Sequence, residues 1–293
     1  MRKSLFSDDE LCNLSPLFRS KAGLKLARII MSIIELDKVN ALYERCSTET
    51  GPHFANNLLN DVGVNYSVGN IERLKAIQEG PFISVSNHPY GGIDGIMLVD
   101  LLGGFRSDFK IMVNNILSMI EAMDQNFISV LPKRGNKAPD TRSNMQSIKE
   151  TLNHIKGGHP VGFFPSGAVS LLRLKDFRIR DRQWQESVLK IIHSVKVPIL
   201  PVRFFDKNST LFYLLGLIDW RIRQFRMPHE VFNKSNKQVR IGIGNIITPE
   251  EQAAFKDARS LGNFIYNEIY KMPLPDNFIP RSQIDFNFKS LSA

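Results

Sequence analysis

Short apolar runs alternate with amphipathic stretches through the middle of the chain. Phe82–Ser86, Phe109–Val113, Phe127–Leu131, Val161–Phe164, Pro198–Phe204 and Val239–Ile243 are rich in Val, Ile, Leu and Phe and have strand length. Between them, Ile96–Leu102, Arg142–Ile155 and Trp184–Ser194 read as helices, the second stopped by Gly157-Gly158. This alternation predicts an α/β fold: a mixed, largely parallel central sheet flanked by helices, its middle strands buried on both faces. Upstream, Leu24, Leu26, Ile29, Ile30, Ile33, Ile34, Val39 and Leu42 predict one long helix from Gly23 to Tyr43. Residues 46–60 look polar and irregular, and residues 71–79 a short helix. Thr248 caps a predicted closing helix from Pro249 to Lys271. Three prolines after Met272 predict a loose tail. The expected organisation is an N-terminal helical segment (1–70), an α/β domain (71–272) and a tail (273–293).

Composition narrows the functional classes. The chain has 293 residues, 43% of them hydrophobic, enough for a large core. Its net charge of +9 suits nucleic acid, anionic lipid or an acidic protein partner. Nothing resembles a recognition helix or an RNA-binding signature, so nucleic acid is not expected. Cys12 and Cys46 form no CxxC pair, and no histidine pair has metal-ligand spacing. A reducing compartment and no metal site are the expectations. The first ten residues start basic but lack the apolar core of a signal peptide. The longest apolar run, Leu211–Ile218, is far shorter than the roughly 20 residues that span a bilayer as a helix.

Candidate chemistry follows the first central strand. Asn87-His88-Pro89-Tyr90-Gly91-Gly92-Ile93-Asp94-Gly95 joins that strand to a helix. Gly91-Gly92 lets the backbone turn tightly enough for Asp94 to reach His88. A carboxylate on one ring nitrogen leaves the other free to take a proton from a hydroxyl or amine. Asp94 suits a helix cap equally well, and His88 an ordinary hydrogen-bonded loop residue; residue types alone leave both open.

This strand–Asn-His-Pro-x-Gly-Gly-x-Asp-Gly–helix motif resembles the first block of the PlsC-like glycerolipid acyltransferase superfamily. The branch of bacterial putative hemolysins and aminolipid (ornithine- or glycine-lipid) acyltransferases is the most similar. The usual spacing has four residues between His and Asp; here five intervene. Three more segments follow in family order. Phe127–Arg134 resembles the second block, Phe163–Ser170 the third, and Val197–Val202 the fourth, an apolar strand beside the acyl site. The third block usually reads Phe-Pro-Glu-Gly; here Ser166 replaces the glutamate.

The resemblance implies an O-acyltransferase of membrane-lipid synthesis. His88 is then the general base, oriented by Asp94. Asn87, Gly91, Gly92, Lys133, Arg134, Pro165, Ser166 and Gly167 become substrate-binding candidates. Acyl-carrier protein or acyl-CoA is the implied donor, with no bound cofactor, and a lyso-lipid is the acceptor. The missing glutamate favours a monoacylated amino-acid lipid over lysophosphatidic acid. A non-catalytic, membrane-perturbing protein is the alternative of another class. The cluster Arg173, Lys175, Arg178, Arg180 and Arg182 suits an acidic carrier or anionic headgroups, or is simply a solvated face. Leu211–Trp220, followed by Arg221, Arg223 and Arg226, suits a helix lying in a headgroup layer. The N-terminal helix is a second candidate contact, or else ordinary core. The expected location is peripheral, on the cytoplasmic face of an inner membrane.

Overall fold

The structure is a computed structural model that describes residues 4–5, 12, 16–131, 141–235 and 237–286. In chain order its strands are β1 (Asn65–Gly69), β2 (Ile83–Ser86), β3 (Lys110–Asn114), β4 (Phe127–Val130), β5 (Val161–Phe163), β6 (Leu171–Arg173), β7 (Arg178–Arg180), β8 (Ile199–Phe204), β9 (Gln238–Ile243) and β10 (Ile279–Pro280). Its helices are α1 (Lys21–Ile33), α2 (Leu36–Cys46), α3 (Gly51–Val62), α4 (Gly92–Phe105), α5 (Thr141–Lys156), α6 (Glu186–Val195), α7 (Thr210–Ile218), α8 (Trp220–Phe225), α9 (Met227–Phe232), α10 (Pro249–Gln252) and α11 (Ala258–Lys271).

The described residues build an eight-stranded sheet in the order β10-β1-β9-β8-β2-β5-β3-β4. Strands β8, β2, β5, β3 and β4 run parallel; β9 runs antiparallel to β8, β1 parallel to β9 and β10 antiparallel to β1. This is the mixed, largely parallel α/β sheet that the apolar runs predict. All of β2 is buried, which is why its sequence shows no polar–apolar alternation. Alternate strand residues feed two apolar clusters. Leu200, Val202 and Ile111 pack with residues of α3 and α4; Ile83, Val85 and Ile199 pack with residues of α6 and α11. Strands β6 and β7 form a separate antiparallel hairpin.

Four segments differ from expectation. The long N-terminal helix is two helices, broken where Glu35 takes a left-handed conformation (φ 62°) and its carboxylate meets Lys38 and His229. Residues 46–60 contain most of α3, which buries Phe54, Ala55, Leu58, Leu59 and Val62 along one face. The closing helix is divided: α10 has a Thr248–Glu251 capping box, and Asp257 caps α11 anew. The segment after Met272, expected to be loose, is tied down as far as the described residues run. Strand β10 pairs with β1, and Arg281 forks onto buried Asp100, which also accepts from the Tyr66 hydroxyl. The sheet thus draws on residues either side of 71–272.

Candidate active site

Central strand β2 ends at Ser86 and α4 begins at Gly92, so residues 87–91 cross the carboxyl end of the sheet, where open α/β sheets place ligands. Asn87 fixes one end of this loop. Its amide nitrogen donates to Phe204 O (2.9 Å) and its amide oxygen accepts from Phe204 N (2.8 Å). Gly91 closes the other end at φ 88° and ψ −137°, a region open to glycine and costly for residues with a Cβ.

The His88 and Asp94 side chains meet. His88 Nδ1 lies 2.8 Å from Asp94 Oδ2, with the ring tilted off the straight N–H···O line. The same oxygen accepts from the Tyr90 and Gly91 N–H groups, at 2.9 and 3.0 Å. Asp94 is therefore both the cap of α4 and the partner of the imidazole, so the two readings of the sequence are compatible. Its side chain is completely buried. Burial pushes its carboxyl up from the usual range, against the opposing pull of His88 and the two loop N–H groups. His88 Nε2 has no protein partner among the described residues, and the side chain is 16% exposed. The ring stacks on Phe164, with centroids 4.1 Å apart.

A second buried carboxylate holds the His88 backbone. Asp181 Oδ1 accepts from His88 N (3.2 Å) and from the Ser170 hydroxyl (2.6 Å), and Ser170 N donates to His88 O (2.8 Å). Trp184 Nε1 donates to the other Asp181 oxygen. Both polar atoms of the histidine peptide are thus held by the residues flanking the β6–β7 hairpin. Burial raises the Asp181 carboxyl as well, again against its hydrogen bonds and the nearby imidazole.

A buried polar cluster supports the loop from another side. Asn208 and the Tyr213 hydroxyl both donate to Pro89 O, at 3.1 and 3.0 Å. Lys234, 3% exposed, donates to Asn208 Oδ1 and Glu230 O and places its ammonium 4.7 Å from the Tyr90 ring centroid. Burial pushes Lys234 down to about 8. Glu230 stays below the usual carboxylate range because Ser209 hydrogen bonds and Lys234 outweigh its burial.

Of the other sequence candidates, Pro165, Ser166 and Gly167 form a tight turn after Phe164. Ser166 is completely buried, and its hydroxyl donates to Ala168 O (2.7 Å). Gly167 sits beside the Gln185 amide at φ 58°, a conformation that residues with a Cβ rarely adopt. Pro165 O accepts from Gln185 N. The third block thereby delivers Phe164 to the imidazole, while the Ser166 hydroxyl is used inside the turn. Gly92 opens α4 beside Leu117. Lys133 and Arg134 lie outside the described residues. Asp181, Lys234, Asn208 and Tyr213 were not anticipated. Asp181 left a trace as the lone acid in Arg178-Ile179-Arg180-Asp181-Arg182; the others carry no local motif.

Apolar side chains wall the loop: Val169 and Met227 over Gly91, Leu117 over Gly92, and Phe164 on His88. An imidazole with a carboxylate on one nitrogen, an open second nitrogen and apolar surroundings has the chemistry of a transferase that deprotonates its acceptor. An acyltransferase family model matches residues 12–274, and the chain belongs to that family of enzymes. It is 23% identical over 276 residues to the lyso-glycine lipid O-acyltransferase of Phocaeicola vulgatus, covering 89% of this chain and 95% of that one. The lyso-glycine lipid O-acyltransferase of Bacteroides thetaiotaomicron is 24% identical over 250 residues, covering 83% and 88%. Among solved structures, the 1-acyl-sn-glycerophosphate acyltransferase PlsC of Thermotoga maritima matches with a TM-score of 0.46 and 14% identity, over 75% of this chain and 79% of that chain.

Proposed function

We propose that the protein transfers a fatty acyl group from acyl-carrier protein or acyl-CoA to the hydroxyl of a monoacylated amino-acid lipid, with His88 as general base. The observation that carries this reading is the His88–Asp94 pair at the end of β2, in a chain similar along most of its length to two lyso-glycine lipid O-acyltransferases.

The acceptor hydroxyl gives its proton to His88 Nε2 as its oxygen attacks the thioester carbonyl. Asp94 stabilises the resulting imidazolium through Nδ1. Negative charge gathers on the former carbonyl oxygen, and the first N–H groups of α4, ahead of that of Asp94, which donates to Gly91 O, supply donors for it. The carbon–sulfur bond then breaks, and the leaving thiolate takes the proton back from His88. The apolar wall of Phe164, Val169, Leu117 and Met227 accommodates the acyl chain next to the ring.

The same reading places the protein on a membrane surface. No helix among the described residues is long and apolar enough to cross a membrane. Helix α7 turns Leu211, Leu214, Leu217 and Ile218 outward, and α8 exposes Trp220, Ile222 and Phe225. These residues beside Arg221 suit insertion at headgroup depth. Helix α1 exposes Leu26, Ile29 and Ile33, an unexpected amount for core packing.

The test is an acyl-transfer assay with labelled acyl-carrier protein and acyl-CoA against lyso-glycine lipid, a lyso-ornithine lipid and lysophosphatidic acid. Turnover on the amino-acid lipids is expected. Turnover confined to lysophosphatidic acid would overturn the acceptor assignment, and no turnover on any acceptor would overturn the enzymatic reading.

A further inference from the structure

A cavity of about 400 Å³ opens beside the catalytic loop, bounded on one side by Asn87 and Pro89. That volume is within the range of small-molecule sites. Arg178 and Arg180 of β7, Arg203 of β8 and Lys207 line it. No carboxylate among the described residues forms an ion pair with any of the four. Arg203 is half-buried, and its guanidinium donates to two backbone carbonyls, Tyr270 O and Met272 O. Arg180 lies over the Tyr270 ring, 5.3 Å from its centroid. Burial lowers the affinity of Arg203 for its proton, and the like charge of Arg180 adds to that. The acid in the lining, Asp206, is already bound by both arms of Arg240.

Cations drawn together without a counter-charge repel one another, and the repulsion strengthens as water is excluded. An anion in the cavity removes that cost, and guanidinium forks match the oxygens of phosphate and carboxylate. We propose that this cavity binds a phosphate or carboxylate group. Resting on the acyl-transfer reading, the anion belongs to a co-substrate: the phosphate of the thioester donor or the anionic headgroup of the acceptor.

Arg178 and Lys207 are exposed, and Arg180 is half-buried, so their replacement by glutamine leaves the core untouched. The first measurement is calorimetric titration of the full chain with pyrophosphate. R178Q/R180Q and, separately, K207Q are compared with wild type and with K149Q/K156Q, which removes two charges from exposed positions on α5. Affinity is expected to fall about tenfold or more in R178Q/R180Q and measurably in K207Q, and to hold in K149Q/K156Q. Equal losses in site and control variants, or no loss in the site variants, would overturn the proposal. This arm reads without any acyl transfer, so it fails or succeeds independently of the proposed reaction. The second measurement is the KM of each co-substrate in R178Q/R180Q. A rise confined to the thioester assigns the anion to the donor, and a rise confined to the lyso-lipid assigns it to the acceptor. Unchanged KM values for both would overturn the co-substrate assignment while leaving the anion site.

Discussion

Asp94 Oδ2 receives two backbone N–H groups and faces the imidazole, so one oxygen shapes the loop and orients the ring. In Asp94→Asn the amide oxygen still serves the loop donors, but no negative charge meets the imidazolium. Turnover is expected to fall about a hundredfold or more while the unfolding midpoint stays close to wild type. A parallel collapse of stability would show that Asp94 serves the fold alone. Gly91→Ala tests the loop itself. It places a Cβ at φ 88°, 2.0 Å from the Met227 methyl, and is expected to cost about 1 to 3 kcal/mol by chemical denaturation. Met227 can move aside but the backbone strain stays, so Gly91→Ala/Met227→Ala should remain destabilised. Lys234 gives a pH signature. Its proton affinity falls from 10.5 when unfolded to about 8 when folded, so between these values the unfolded chain holds the extra proton. The Lys234 contribution to stability therefore rises with pH across that window. Denaturant midpoints measured from pH 8 to 10 should climb more in wild type than in Lys234→Met; parallel curves would contradict the assignment. At this scale His88 and Asp94 were legible because glycines and a strand end fix their relation within one loop. Asp181 and Lys234 were not, because long-range packing alone brings them to that loop.

Helix α7 joins two surfaces. Its inner side buries Phe212 and Tyr213, the latter holding Pro89 O, and its outer side carries Leu211, Leu214, Leu217 and Ile218. Tyr213 therefore places α7 one residue contact away from the His88 loop, so insertion of α7 into a membrane would be felt there. Ile218→Asp/Phe225→Asp alters two side chains that are 74% and 60% exposed. Co-sedimentation with phosphatidylglycerol vesicles is expected to drop about tenfold or more, with an unchanged circular dichroism spectrum. Undiminished binding would remove these helices from the membrane contact. The central strands were legible as elements because burial on both faces makes them continuous apolar runs. Helix α3 was not, since its polar asparagines and the Gly51-Pro52 start mask the spacing of Phe54, Leu58 and Val62. The β6–β7 hairpin read as a basic cluster because its strands are only three residues long and rich in arginine.

Across the whole molecule, one edge of the sheet is built from segments far apart in sequence, β1 (Asn65–Gly69) and β10 (Ile279–Pro280). Arg281, after the last helix, forks onto Asp100 of α4, which is 1% exposed and also accepts from Tyr66 of β1. The helix that starts at the His88 loop is thus pinned by the C-terminal segment through Asp100. Arg281→Ala leaves a buried carboxylate short of its cationic partner and is expected to cost about 2 to 3 kcal/mol of stability. A change within experimental error would show that the segment merely rests on the surface. Prolines alone suggested a loose tail, because nothing local in the sequence announces a partner in α4.

The most direct test is the turnover number of His88→Ala in acyl transfer from a labelled thioester to lyso-glycine lipid, alongside its circular dichroism spectrum. Without the imidazole, a loss of about a hundredfold or more is expected with the fold intact. Turnover near that of the wild type in a folded His88→Ala protein would contradict the general-base role.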